Sequence, residues 1–331
     1  MRRFFPVFVH ICLLCFVHDA AVAALIDRPE VQKFIDEMVS EHDFDADRLA
    51  DIFSKAKVSK SIVKAISRPA EAKPWYKYRP IFLTDDRIKL GVKFLQQNEL
   101  TLRRAEEVYG VPVEIMVAII GVETRYGKHA GKYKVINSLS TLAFNYPKRS
   151  EFFRSELIQF LLLAREQLMD PLSVNGSYAG AMGIPQFISS SYRNYAVDFD
   201  KDGKIDIWDN PVDAIGSVGN YFKQHGWQAG KAIANRAEVA NDNYLAVLSK
   251  GLEPHISTTE LANYGITVAQ MPDENVDIKF LEYELKDGRE FWLGFDNFYV
   301  ITRYNHSALY AMAVYQLSEE IRARFDAQNK P

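Results

Sequence analysis

Glu123 stands at the end of a long apolar run, where a buried acid would be expected. Residues 111–122 are apolar with one exception, and Pro112 suits the first turn of a helix, where no backbone N–H is needed. Because such a helix is buried on all sides, a carboxyl at its end loses hydration and its pKa is expected to rise. A carboxylic acid still protonated near neutral pH is what general-acid cleavage of a glycosidic bond requires. The alternative is a structural glutamate paired with Arg125 or Lys128.

An aspartate-rich loop is the second pattern with chemical meaning. It matches the opening of an EF-hand calcium loop, with acids at positions 1, 3, 5 and 9 and glycine at position 6. Carboxylates this close repel one another without a cation, and Mg²⁺ tolerates an irregular oxygen cage poorly, so the pattern favours Ca²⁺. Position 12 is Asp209 rather than glutamate, so Asp213 is a second candidate for closing the loop. The competing interpretation is a solvated Asp-Gly turn. The acids and the glycine are Asp198, Asp200, Asp202, Gly203 and Asp206.

Small residues are concentrated in residues 177–187, Ser-Tyr-Ala-Gly-Ala-Met-Gly-Ile-Pro-Gln-Phe. They would let backbone approach a ligand closely, and Gln186 and Phe187 could then hydrogen-bond and stack against a sugar. Tight packing within the protein explains the same residues equally well.

Apolar periodicity predicts helices for most of the chain. An extended connector is predicted from Pro69 to Pro80, and a hairpin is predicted where Lys286-Asp287-Gly288 separates two β-rich runs. The fold class is therefore α+β, mostly α, with a small β element near the C-terminal end. Residues 27–66 are predicted to be helical. The further predicted helices are Asp85–Tyr109, Val113–Thr124, Ser150–Gln167, Pro211–His225 and His306–Phe325, and the predicted strands are 276–285, 289–294 and Phe298–Thr302.

Residues 1–23 have the pattern of a secretory signal peptide. Arg2 and Arg3 precede an apolar stretch that ends at the cleavage site Ala21-Val22-Ala23. The stretch contains both cysteines, so cleavage would leave an exported protein without disulfides. Lipidation of Cys15 is the alternative, but leucine rather than a small residue precedes it. We expect a soluble periplasmic protein rather than an outer-membrane lipoprotein.

Charge and composition argue against one class of protein and favour another. Removing residues 1–23 changes the formal net charge from -3 to -4, and a mildly acidic chain argues against nucleic-acid binding. Aromatic residues make up 13% of the chain, which a sugar-binding groove would use. About 300 remaining residues are enough for two or three subdomains.

Four motifs together resemble the B-type lytic murein transglycosylases, the family of membrane-bound lytic murein transglycosylase B. They are residues 123–127, residues 180–187, the aspartate loop with residues 211–215, and residues 303–307. The resemblance implies a lysozyme-like core with an EF-hand-like calcium loop, a helical domain and a small β domain. It also implies cleavage of the MurNAc–GlcNAc β-1,4 bond of peptidoglycan without water, giving 1,6-anhydroMurNAc.

The resemblance makes Glu123 the catalytic residue, acting as acid and then as base. The substrate's N-acetyl group can stabilise the anomeric carbon, and its 6-hydroxyl can attack, so one carboxyl could suffice. The alternatives are a hydrolytic muramidase and a non-catalytic, calcium-stabilised peptidoglycan-binding protein. The implied substrate-binding residues are Tyr78, Lys148, Arg149, Ser177, Gln186, Phe187, Tyr221, Tyr304, Asn305 and Tyr310. The implied calcium ligands are Asp198, Asp200, Asp202, Lys204 (by its carbonyl) and Asp213.

The expected domains are a helical region at 24–80 packing with the C-terminal helix 306–331, a lysozyme-like catalytic core at 81–230 with the calcium loop at 198–213, and a β-containing domain at 231–305. Ca²⁺ is expected as a structural ion, with no organic cofactor. The expected partners are peptidoglycan glycan strands and, as a second class, other cell-wall synthesis or turnover proteins.

Overall fold

Most of the chain is helical, and a five-stranded sheet lies in its C-terminal third. This computed structural model describes residues 24–67, 73–248, 251–269 and 275–329. The chain divides into two compact units, one ending at Ser54 and the other beginning at Lys55. The predicted fold class, mostly α with a small β element, is confirmed.

The unit that ends at Ser54 contains helices α1 (Pro29–His42) and α2 (Ala46–Lys55), the second of which ends at the unit boundary. Both are amphipathic, as the periodicity predicts. Their apolar faces meet at Phe34 and Phe53, whose ring centroids are 5.6 Å apart in an edge-on arrangement.

Helix α7 (Val113–Thr124) lies at the centre of the larger unit and has the predicted bounds. Every residue of α7 except Glu123 is buried. It packs against α5 (Asp85–Gln97), α6 (Glu99–Tyr109) and α13 (Ala308–Gln328), which explains why its sequence has no polar face. The other helices described in this unit are α3 (Lys60–Ile66), α4 (Trp75–Phe82), α8 (Val135–Asn145), α9 (Ser150–Glu166), α10 (Ser189–Tyr195), α11 (Pro211–Gln224) and α12 (Asp296–Tyr304), with short 3-10 helices at Pro147–Arg149, Asp242–Val247 and Thr258–Tyr264.

The strands form a small two-stranded pair and a larger antiparallel sheet. The pair is β1 (Tyr133–Lys134) with β2 (Asn175–Gly176), and the sheet contains β3 (Ala234–Val239), β4 (Ile256–Ser257), β5 (Ile266–Val268), β6 (Asp277–Glu284) and β7 (Arg289–Gly294). The strand order of the sheet is β4-β6-β7-β3-β5.

The predicted hairpin joins β6 and β7. Glu284 pairs with Arg289 across the turn, and the N–H of Leu285 donates to the carbonyl of Gly288 at 3.1 Å. Gly288 has φ of 89°, a left-handed conformation that glycine adopts without strain.

Helix α4 replaces the C-terminal part of the predicted connector. Pro74 precedes the helix, and Pro80 lies in its last turn. Pro80 removes a backbone donor, but Trp75 and Tyr78 on the same helix are each only 1% exposed. The burial of these two aromatic rings therefore outweighs the cost of the proline. The rest of that prediction, from Pro69, falls largely outside the described residues.

Two further differences have local causes. Residues Phe298–Thr302, predicted as a strand, lie in α12, because their apolar side chains also recur at helical spacing and are buried there. The predicted helix Asp85–Tyr109 is two helices, separated at Asn98, whose N–H donates to the carbonyls of Phe94 and Leu95.

The sequence analysis did not predict α8 or the short strands β3, β4 and β5. Helix α8 is interrupted by polar residues, and Ser138, Ser140 and Thr141 are fully buried despite their hydroxyls. The strands contain two to six residues each, too few for a clear alternation. The domain boundaries proposed at residues 80, 230 and 305 stay predictions.

None of the helices in the described ranges is long and apolar enough to cross a membrane. The predicted signal peptide, residues 1–23, lies outside those ranges.

Candidate functional site

The C-terminal end of α7 positions Glu123, which is half-buried and one residue from the end of the helix. The chain leaves the helix through two successive residues in the left-handed region, Arg125 (φ 52°) and Tyr126 (φ 60°). Their N–H groups donate to the carbonyls of Gly121 and Ile120, at 3.1 and 3.2 Å. Residues other than glycine rarely adopt this backbone conformation, so contacts with the rest of the protein must hold the chain in place where it leaves α7.

Helix α5 supplies those contacts. Arg87 donates from Nη1 to the carbonyl of Gly121 at 2.5 Å, and its own carbonyl accepts from the hydroxyl of Tyr126 at 2.9 Å. A Cβ on Gly121 would lie 2.6 Å from that hydroxyl, so a larger residue would displace Tyr126. The guanidinium of Arg125 forms an ion pair with Asp86. Arg125, considered above as a partner for the glutamate, is therefore engaged by α5.

Tyr310 is a hydrogen-bond partner of Glu123. Its hydroxyl donates to Oε1 of Glu123 at 2.6 Å. Tyr310 lies in the first turn of α13 and is 2% exposed. Burial, and after it the charge of Glu123, raises the pKa of Tyr310 well above its usual value, so the hydroxyl remains a donor over the range in which carboxyls titrate.

The hydroxyl of Thr124 connects α7 to residues 177–187. It donates to the carbonyl of Ile184 at 2.9 Å. A second connection runs from the side-chain amide of Gln186, which donates to the carbonyl of Ala130 at 3.1 Å. These two hydrogen bonds hold the small-residue segment against the chain that follows the acid.

Hydrogen bonds within residues 177–187 fold this segment. The hydroxyl of Ser177 accepts from the N–H groups of Ala179 and Ala181, at 3.3 and 3.0 Å. A Cβ on Gly183 would lie 2.5 Å from the carbonyl oxygen of Ile207. Close packing within the protein therefore requires at least part of this small-residue pattern.

Three aromatic rings form a cluster beside this segment. The ring of Tyr304 lies 4.7 Å from Tyr221 and 6.0 Å from Phe187. The Tyr304 hydroxyl donates to the carbonyl of Pro185 at 2.6 Å, and the Tyr221 hydroxyl donates to that of Arg303 at 2.6 Å. Phe187 and Tyr221 are buried and Tyr304 is half-buried, so the cluster packs the segment against α11 and α12.

The remaining predicted substrate-binding residues lie in different settings. Tyr78 is 1% exposed and packs among aromatic rings on α4, whereas Asn305 is half-buried just after α12. Lys148 and Arg149 are exposed, and the guanidinium of Arg149 lies 4.2 Å from the ring centroid of Phe152. The side chains of this basic pair form no hydrogen bond or ion pair with a described residue.

The aspartate-rich loop brings three carboxylates together. One oxygen each from Asp198, Asp200 and Asp202 lies within 4.8 Å of the others. Asp198 accepts from the N–H of Asp202 at 3.1 Å, and Asp202 accepts from the N–H of Lys204 at 2.9 Å. The side-chain hydrogen bond from Asn210, at 2.8 Å, is the main cause that lowers the pKa of Asp200. Hard oxygen ligands at this spacing fit a calcium ion.

Asp213 lies in the first turn of α11 and accepts hydrogen bonds from the backbone of the loop. It is fully buried, and its two carboxylate oxygens accept from the N–H groups of Phe199 and Asp206, both at 2.8 Å. Burial raises the pKa of Asp213 despite these hydrogen bonds. The loop also connects to the small-residue segment, because the N–H of Ile184 donates to the carbonyl of Ile207 at 2.8 Å.

Sequence reasoning missed Arg87 and Thr124, which hold the end of α7 in place. For Thr124 a signal was available, since a polar residue that ends an otherwise apolar buried helix needs a partner. Arg87 gave none, because it lies on another helix.

A family model described as "Transglycosylase SLT domain" matches residues 27–319. The chain is also 46% identical over 305 residues to membrane-bound lytic murein transglycosylase B of Escherichia coli (strain K12), covering 89% of this chain and 83% of that protein.

Two solved structures are similar along most of their length. The catenated lytic transglycosylase SltB1 from Pseudomonas aeruginosa has a TM-score of 0.86 and 50% identity, with 91% of this chain and 99% of that chain covered. The E. coli lytic transglycosylase Slt35 in complex with calcium has a TM-score of 0.84 and 46% identity, with 91% and 95% covered. These neighbours are lytic transglycosylases with the lysozyme-like fold. The chain therefore belongs to the transglycosylase SLT-domain family and is a lytic murein transglycosylase.

Proposed function

We propose that this lytic transglycosylase cleaves the MurNAc–GlcNAc β-1,4 bond with Glu123 as its one acid and base. The observation that carries the proposal is the half-buried carboxyl at the end of α7, hydrogen-bonded through Oε1 to Tyr310.

In the first step protonated Glu123 donates its proton to the glycosidic oxygen. The bond between that oxygen and the anomeric carbon of MurNAc breaks, and the GlcNAc hydroxyl leaves. The N-acetyl group of MurNAc stabilises the positive charge that develops on the anomeric carbon, so no second protein carboxylate is required.

In the second step ionised Glu123 removes the proton from the 6-hydroxyl of the same MurNAc. The 6-oxygen bonds to the anomeric carbon and closes the 1,6-anhydro ring, and the carboxyl is protonated again for the next cycle. No water is consumed, which distinguishes this reaction from hydrolysis by a muramidase.

Tyr310 acts as a positioning residue for both steps. It can donate to Oε1 whether the carboxyl is protonated or ionised, and it favours the ionised form that the second step uses. Because Tyr310 is buried, this role suits it better than direct contact with a sugar.

We propose that Gln186, Tyr304 and Asn305 form the wall of the sugar groove, because each is half-buried. The Oε1 of Gln186 is available to a sugar hydroxyl, since both hydrogen bonds of this side chain to described residues use Nε2. Lys148 and Arg149 are exposed cations suited to anionic peptide or lactyl groups. The rest of the proposed set, Tyr78, Ser177, Phe187 and Tyr221, supports the groove from behind through packing and backbone contacts.

We propose a structural Ca²⁺ in the aspartate-rich loop, held by Asp198, Asp200, Asp202, the carbonyl of Lys204 and Asp213. The support is the spacing of the three carboxylates and the calcium complex of the related E. coli Slt35. The ion would neutralise the loop and take no part in proton transfer.

We propose that the enzyme acts in the periplasm after cleavage of residues 1–23. Edman sequencing of the exported protein tests this, and a mature chain that begins at a lipidated Cys15 would refute it.

Mass spectrometry of digested sacculi tests the reaction. Muropeptides that carry 1,6-anhydroMurNAc, one water lighter than muramidase products, are the expected outcome. A digest containing only reducing-end MurNAc would make water the nucleophile and contradict the proposed mechanism.

A further inference from the structure

A cavity lies on the face of α13 opposite Tyr310. It has a volume of about 600 Å³ and is lined by α4, α13 and the neighbouring strands β3 and β7. Tyr315 and Glu319 line it, and they follow Tyr310 by five and nine residues, which places them on the other side of the same helix. The volume lies within the range of small-ligand sites.

Charges of both signs line this cavity. Arg79 and Arg236 are its cations, and Glu290, Glu319 and Glu320 are its anions. Glu290 lies 3.9 Å from Arg236, whereas Glu319 and Glu320 have no cation within ion-pair distance among the described residues. The exposed carboxylates of Glu319 and Glu320 therefore form a negative end of the cavity that no cation in the described ranges neutralises. Arg79 forms the positive end.

The position of the positive end is fixed. Arg79 donates from Nε to Oε1 of Gln316 on α13 at 2.7 Å. Its two Nη groups form no hydrogen bond with a described residue. They are therefore available to a carboxylate, which a guanidinium binds in a bidentate arrangement.

The indole of Trp292 supplies an unused donor in the wall. Its Nε1 is buried, and no described residue accepts from it. The ring meets Tyr315 edge-on at 6.1 Å, and the guanidinium of Arg236 lies 6.0 Å from its centroid. Buried N–H groups without an acceptor are rare in folded proteins, and a small rotation of this ring, which borders the cavity, would present its N–H to a ligand.

We propose that this cavity binds a zwitterionic peptide segment, with the carboxylate at Arg79 and the Trp292 N–H and the ammonium at Glu319 and Glu320. Peptide stems of peptidoglycan carry both groups on their diamino acid, so the choice of ligand rests on the proposed function. The site would hold a stem while Glu123, on the other side of α13, acts on a glycan bond.

Calorimetric titration of the mature protein with the stem tripeptide L-Ala-γ-D-Glu-meso-diaminopimelate tests the proposal. One peptide is expected to bind per protein. The double variant Glu319→Gln/Glu320→Gln should weaken binding at least about tenfold, and Trp292→Phe should weaken it by removing the N–H while keeping an aromatic ring. A tripeptide acetylated on its diamino-acid ammonium should bind at least about tenfold more weakly than the unmodified peptide.

A matched control is Glu106→Gln/Glu107→Gln, which removes two adjacent glutamate charges from α6, outside the cavity. It should leave peptide affinity unchanged. Unchanged binding in both cavity variants would overturn the proposal. The proposal would also be overturned if Lys148→Ala/Arg149→Ala lost binding while the cavity variants kept it. The peptide would then bind at the basic pair.

The same preparations separate this proposal from the reaction at Glu123. If sacculi yield 1,6-anhydroMurNAc but the tripeptide fails to bind, only the cavity assignment fails. If the tripeptide binds as expected but the digest lacks the anhydro product, the cavity assignment stands and the proposed reaction fails. Melting curves of the cavity variants should match the wild type, and the Glu319/Glu320 variant carries the test if Trp292→Phe does not fold.

Discussion

Two side chains 187 residues apart in the sequence meet at the acid, one from α7 and one from α13. The hydrogen bond from Tyr310 occupies one oxygen of Glu123, so the orientation of the carboxyl is fixed before a substrate arrives. In the proposed mechanism, orientation of this kind lowers the barrier because the reacting groups need not be ordered during the reaction.

Replacing Glu123 with glutamine keeps the shape of the side chain and removes its transferable proton. Turnover of sacculi should fall by about 10²- to 10⁴-fold, because both proton transfers depend on this group. The melting temperature should hold or rise slightly, since a partly desolvated carboxylate costs the fold free energy. Glu107→Gln, an exposed change on α6, is the matched control. Near-normal turnover in Glu123→Gln would leave this glutamate a structural residue.

Replacing Tyr310 with phenylalanine removes the donor and keeps the ring. A hydrogen bond to a charged group contributes about 1.5–3 kcal/mol, so kcat should fall roughly 10- to 100-fold. KM should change little, because we place Tyr310 behind the acid rather than against the sugar. The control Tyr244→Phe also loses one hydrogen bond, to Arg289 in the sheet, and should keep normal kcat. A rise in KM with unchanged kcat would instead favour direct sugar binding by Tyr310.

Helix α7 carries a second carboxyl, that of Glu114, in a different environment from Glu123. Glu114 lies in its first turn, is 8% exposed and accepts from Arg322 of α13 at 3.1 Å. Burial is the largest cause and raises the pKa of Glu114, while Arg322 acts in the opposite direction. Folding therefore favours the protonated form of this carboxyl.

The pH dependence of stability follows from that shift. Because the folded pKa is raised, the contribution of Glu114 is fully present below its unfolded pKa and is lost as pH rises through the folded pKa. The free energy of unfolding of Glu114→Gln, relative to wild type, should therefore increase between acidic and neutral pH. Urea unfolding at several pH values measures this, and Glu107→Gln should show no such trend. A relative stability that instead decreases toward neutral pH would show that the ion pair with Arg322 outweighs burial.

At the scale of the whole molecule, the aspartate-rich loop should couple stability to calcium. A ligand that binds only the folded state at 100 times its Kd stabilises it by about 2.7 kcal/mol. Thermal melts with calcium should therefore lie above melts with chelator, and Asp200→Ala should reduce the difference. Asp326→Ala, an exposed aspartate on α13, should keep the full difference. Coincident wild-type melts at up to millimolar calcium would contradict the site.

The sequence alone predicts correctly those elements whose pattern lies within one short segment. Helix α7 has the predicted bounds because an apolar run after a proline leaves few alternatives, and the β6–β7 hairpin follows from its Asp-Gly turn. Residues Phe298–Thr302 were predicted wrongly because β-branched and aromatic residues favour a strand unless helical burial overrides them.

The candidate site was predictable only in part, for a related reason. Glu123 and the aspartate loop are each contained in one short segment, so their residue types and spacing are visible. The partners Tyr310, Arg87 and Thr124 act across elements, and no local pattern reveals which surfaces pack together. Family resemblance brought Tyr310 into the site, but only the fold assigns its hydroxyl to the acid.

Helix α13 contacts α4, α5, α7 and α12 and carries the tyrosine that orients the acid. It is also the last helix described in the chain. In genetic terms, a frameshift or stop codon just before Ala308 should therefore behave as a complete loss of the gene, although the codons for residues 1–307 would remain intact.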